Sequence, residues 1–184
     1  MEDTVLVLFY IAMAGPSLLL ANQTKKRLLD LQNGIKAVLF LPLTVGMLLV
    51  YVIFVKDFIS QIPLLNLSWL GYNIALGPFG NKGLVAILPF VPLLVYMLIH
   101  VNYFEELYFR KNVRLVVLWA FLHVAMGVAI HVALVLLPLG FFYRHLFNKY
   151  GVNYAYALHF ATNLVLVGIS LISYFFSISY GSSF

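Results

Sequence analysis

The sequence predicts an all-α fold, a polytopic membrane helix bundle of about six transmembrane helices, forming a single domain over residues 1–184. Three observations predict it. Hydrophobic residues make up 64% of the chain and charged ones only 9%, where a soluble globular domain carries about 25% charged. Mean hydropathy is +1.01, which puts most of the chain in lipid. The apolar residues also fall in runs of spanning length, and the basic residues collect in alternate segments between them. The net charge of +5 is thus spread over short loops and reports topology, not a nucleic-acid surface. Cysteine is absent, which excludes disulfides, thiolate metal sites and thiol catalysis by this chain.

Taken in order, residues 4–21 form a first apolar run, kinked at Gly15-Pro16. Glu2 and Asp3 stand where a basic leader would be, so a retained helix is expected and not a cleaved signal. Residues 22–34 carry Lys25, Lys26, Arg27 and Asp30 and read as a polar loop. Residues 35–55 are a second span in which neighbouring helices make Pro42 and Gly46 tolerable. The long connection 56–82, rich in Pro, Gly and Asn, reads as interfacial or partly re-entrant. Residues 83–109 form a third helix, 111–114 a basic turn, and 113–124 and 127–143 two more helices. A second basic turn over 144–151 leads to the last span, 152–179. With the N-terminus outside, the cytoplasmic loops hold Lys25, Lys26, Arg27, Lys36, Arg110, Lys111, Arg114, Arg144 and Lys149, nine of the eleven basic residues. That bias is what short loops show under the positive-inside rule.

The chemistry centres on Asn-Tyr-Phe-Glu-Glu-Leu-Tyr-Phe-Arg-Lys at 102–111. A carboxylate in or beside hydrocarbon is costly unless paired, which makes it a functional candidate. Glu106 and Arg110 are four apart on one helix face, acid before base, the better orientation for a pair. Glu105 lies about 100° away around the helix, without such a partner, and is left free for general-base work. Taken alone, the segment fits an interfacial charge cluster at a helix end better. On the next helix Trp119 precedes His123 by one turn and can shield or orient the imidazole. A single core histidine bonded to a carbonyl is the competing reading. On the last helix His159 and Asn163 share a face, either as interhelical packing polar groups or as two donors for an oxyanion. All three features fall in the cytoplasmic half under the loop-charge topology. His100, His131 and His145 are assigned no chemistry.

Glu-Glu-x-x-x-Arg, an aromatic-x-x-x-His and His-x-x-x-Asn, in this order on successive helices, resemble the CPBP family of intramembrane proteases. That family contains CAAX prenyl endopeptidases and the Abi bacteriocin-processing and immunity proteins. The resemblance covers about residues 84–166 and includes the Leu-Gly-Phe-Phe-Tyr-Arg approach to the last helix; Trp119 stands where the family more often has Phe. It implies an intramembrane endopeptidase in which Glu105, helped by His123, activates a water. Glu106 supports the site with Arg110, and His159 and Asn163 stabilise the oxyanion. A metal-free mechanism without cofactor is expected. Zinc is the alternative, although His-Glu-x-x-His is missing and the ligands would come from separate helices. The expected partners are a peptide or protein substrate, including membrane-anchored or lipidated ones, and the bilayer. The expected setting is a prokaryotic cytoplasmic membrane, with the active site toward the cytoplasm. A catalytically silent binding or immunity protein and a small transporter are the competing classes; the inverted repeats common in transporters are not visible.

Overall fold

The computed structural model describes residues 11, 14–59, 61–65, 87–88, 90–125 and 129–181, and the regular structure among them is helical. We label the helices α1 (Ala21–Ile59), α2 (Phe90–Phe109), α3 (Val113–Ala125), α4 (Ile130–Tyr150) and α5 (Val152–Gly181). Four of them, α1, α2, α4 and α5, are long and apolar enough to cross a membrane, which fits an integral membrane protein. The 13 residues of α3 reach about 20 Å, short of a hydrocarbon core of about 30 Å.

Residues 22–34, expected as a polar loop, are helical: Thr24–Gly34 is a regular α-helical stretch inside α1. Its Lys, Arg, Leu and Gln are good helix formers, and their polarity says nothing against a helix. Beyond it α1 changes character, through a 3-10 stretch at Ile35–Phe40, an α stretch at Leu41–Val50 with Pro42 in its first turn, and a π turn at Tyr51–Val55. Proline in a first turn removes a hydrogen bond that would be missing anyway, so Pro42 begins this stretch instead of straining it.

The partners of α1 turn it around. Thr24 meets His100 and Arg27 lies over Tyr103, so this leg runs toward the C-terminal end of α2. Gly34 backs onto Asn153 at the start of α5. Thr44 then meets Thr162, and Tyr51 meets His131 near the start of α4, so the second leg runs back the other way. The reversal falls on the 3-10 stretch.

Helix α4 continues through Tyr150, where a basic turn over 144–151 is expected from the sequence. Leu146 is buried in the core, and the apolar face simply carries on. The turn shrinks to Gly151, whose φ of 88° suits glycine and few other residues. Other helix ends lie where the sequence places them: α2 stops at Phe109, α3 begins at Val113 and α5 at Val152. Residues 4–10 of the first expected run, most of the 56–82 connection and the link at 126–128 lie outside the described residues.

The last helix is the axis of the bundle and packs against α1, α2 and α4. The core gathers beside it, where Trp119 and Ala120 of α3, Leu139, Tyr143 and Leu146 of α4, and Ala155 and Leu158 of α5 meet Ala37.

Candidate functional site

The end of α2 delivers Glu106 and Arg110 to the interior as a closed pair. Arg110 Nε donates to both Glu106 oxygens at 3.0 and 2.9 Å, and Nη2 to Oε1 at 2.6 Å. Both side chains are 0% exposed, so the charges persist only because they face each other. This is the pairing that the four-residue spacing predicts. Arg110, expected among the cytoplasmic loop charges, is internal. Its guanidinium lies 3.9 Å from the Trp119 ring centroid and 5.5 Å from that of Tyr143, a cation held between aromatic faces.

His159 of α5 comes between the two carboxylates. Its Nδ1 lies 2.7 Å from Glu106 Oε1 and its Nε2 3.7 Å from Glu105 Oε2. An ionised carboxylate only accepts, so Nδ1 carries a proton and donates to Glu106. The imidazole stacks on Tyr143 at 4.9 Å and 22°, and meets the Trp119 ring edge-on at 5.7 Å.

Glu105 is mostly shielded, at 14% side-chain exposure, and it is not left without a partner as the helical spacing suggested. Trp119 Nε1 donates to its Oε2 at 3.0 Å. The indole fits there because of Gly140: a Cβ at that position would stand 2.9 Å from Val116 and 3.0 Å from Trp119. The bare backbone of α4 thereby lets α3 close in.

His123 sits one turn along α3. Its Nδ1 faces the Trp119 carbonyl at 2.8 Å, and its ring meets the indole edge-on at 4.9 Å. The carbonyl only accepts, so Nδ1 holds the proton and Nε2 keeps a lone pair in the neutral ring. Among the described residues no hydrogen bond or ion pair joins His123 to Glu105 directly; Trp119 touches both. Asn163 donates to Asn102 Oδ1 at 3.1 Å, one helical turn deeper than the His159–Glu106 contact. Helices α2 and α5 are therefore zipped by two polar rungs.

The structure thus brings Glu105, Glu106, Arg110, Trp119 and His159 into one cluster, with His123 at one remove and Asn163 a turn away. Tyr143 and Asn102 complete it and were not singled out from sequence. Asn102 stands one turn before Glu106, as Asn163 stands one turn after His159, and that matched spacing was the available signal. Tyr143 offered only its place in the Leu-Gly-Phe-Phe-Tyr-Arg segment. Among the described residues no group of three or more His, Asp or Glu is arranged to hold a metal ion. His100 and His131, given no chemistry, pair with Thr24 and Tyr51.

Comparison with family models, with curated proteins and with solved structures finds no match.

Proposed function

We propose that this chain is an intramembrane endopeptidase of the CPBP type, using a glutamate-activated water near the cytoplasmic face of a prokaryotic membrane. One observation carries the reading: Glu105, shielded and held by an indole N–H, faces an imidazole whose other nitrogen is anchored on a buried Glu–Arg pair. A scaffold gains little from two carboxylates, a guanidinium and an imidazole packed together in an apolar bundle, because desolvation offsets their attraction. A hydrolase gains a base and an electrostatic partner at fixed separation.

In the proposed cycle Glu105 takes a proton from water as the oxygen attacks the peptide carbonyl. The carbonyl π electrons move onto its oxygen. The resulting oxyanion is stabilised by the Nε2–H of His159 in its imidazolium form, Nδ1–H being used on Glu106, and by the second N–H of Asn163, since an amide has two and only one is used on Asn102. Glu105 then returns the proton to the leaving nitrogen as the C–N bond breaks. His123, held through Trp119, assists at the water. Glu106 and Arg110 fix the His159 ring.

The six-helix topology belongs to the same proposal. As read from the sequence, its spans are 4–21, 35–55, 83–109, 113–124, 127–143 and 152–179, with the N-terminus outside and the basic ends at Lys111–Arg114 and Arg144–Lys149 on the cytoplasmic side. Support comes from Asn112, Val113, Arg114 and Arg144, which line one pocket and therefore share a depth.

The test compares membrane proteomes of cells carrying wild-type or Glu105→Ala protein. Precursors should accumulate uncut with the variant, and purified wild-type protein in liposomes should cleave them. Normal cleavage by Glu105→Ala would overturn the mechanism.

A further inference from the structure

Asn112, Val113, Arg114 and Arg144 line a pocket of about 440 Å³ where the start of α3 meets the last turns of α4. Arg114 and Arg144 both line it, and neither joins an ion pair among the described residues. The chain has only six acidic residues; of these, Glu105 and Glu106 on the preceding helix are engaged by Trp119, Arg110 and His159. Arg144 Nε is buried without a hydrogen-bond partner among the described residues. A buried charged donor left unmet is costly and points to an absent acceptor. Asn112 caps α3 by accepting from Leu115 N–H at 2.9 Å, so the positive end of that helix adds to the field.

We propose that this pocket binds the phosphate of an anionic membrane phospholipid. The planar fork of an arginine matches phosphate oxygens, and two forks suit one tetrahedral anion. The surroundings favour a lipid over a free ion. One and two turns along α3 from Arg114, Leu118 and Phe121 are exposed, and Phe141 is exposed one turn before Arg144 on α4. These apolar side chains run away from the cationic pocket as acyl chains do from their headgroup. The inference is independent of the protease reading.

The test is native mass spectrometry of the full chain in detergent, titrated with phosphatidylglycerol, with phosphatidylcholine, and with inorganic phosphate. Wild-type protein should retain one phosphatidylglycerol, at least about tenfold more tightly than phosphatidylcholine. The double variant Arg114→Gln/Arg144→Gln should lose that preference, while Lys25→Gln/Lys26→Gln, on another basic segment, should keep it. If the double variant fails to elute as a folded species, Arg114→Gln alone, at an exposed position, should weaken retention several-fold. Unchanged retention by the arginine variants overturns the proposal. Equal retention of phosphatidylcholine overturns it too, as does occupancy by inorganic phosphate that displaces the lipid.

Discussion

Two arginines of this chain are buried, and the same cation does different work in each place. Arg27 closes on its own helix: it bonds Asp30 at 2.7 Å and Gln23 at 3.0 Å, and lies 3.5 Å from the Tyr103 ring centroid. Its pair keeps some contact with solvent, at 10% and 16% side-chain exposure. Arg110 also pairs within its own segment, but the pair is fully enclosed, and its carboxylate is shared with a histidine from another helix. Arg27 is a brace between α1 and α2. Arg110 is the anchor of a polar cluster drawn from α2, α3, α4 and α5. An arginine in a membrane bundle is thus informative through who shares its counter-ion, more than through its burial.

The largest expected effect tests that contrast. Arg110→Leu strands the Glu106 charge in the interior and should cost about 3–5 kcal/mol, read as loss of folded protein on heating in detergent. An equal loss from Arg27→Leu would erase the distinction between anchor and brace.

Matched carboxylates come next. On the proposed mechanism, Glu105→Gln keeps the shape and removes the base, so cleavage of an accumulated precursor should fall by about 10²–10⁴ while thermal stability stays near wild type. Asp30→Asn, its counterpart in the other cluster, should leave cleavage within about twofold, since Asp30 bonds Arg27 and no residue of the Glu105 cluster.

The aromatic neighbours give a finer comparison. Trp119→Phe keeps a ring under Arg110 and removes the N–H that holds Glu105. A single net hydrogen bond is worth about 0.5–1.5 kcal/mol, so cleavage should drop by about two- to tenfold, measured as kcat/KM. Tyr103→Phe, which keeps the ring under Arg27, should change neither activity nor stability measurably. Arg27→Leu should cost less than Arg110→Leu, about 1–2 kcal/mol for its lost hydrogen bonds in the same heating assay, with cleavage unchanged.

What could be read from sequence follows the range of each interaction. Glu106 with Arg110 was legible because a helix fixes side chains four apart, and no tertiary knowledge is needed. Trp119 with His123, and the common face of His159 and Asn163, were legible for the same reason. The links between helices were not. Nothing in spacing says that His159 turns to Glu106 while Asn163 takes Asn102, or that the Trp119 indole crosses to Glu105; those depend on helix crossings and rotamers. Residues 22–34 misled because charge was taken for a loop, although a charged helix docked on α2 has the same composition. The continuation of α4 past 143 was hidden behind Arg144 and His145, with Leu146 still on the buried face.

The joint at Gly151 has a further consequence. Tyr143 and His159, whose rings stack, lie equally far before and after it along the two helices. The joint therefore acts as a depth gauge: with only one residue between helices, nothing can absorb a shift of one against the other. Inserting a single residue there would swing α5 by about 100°. His159 would leave Tyr143 and both carboxylates together, with no side chain of the cluster altered.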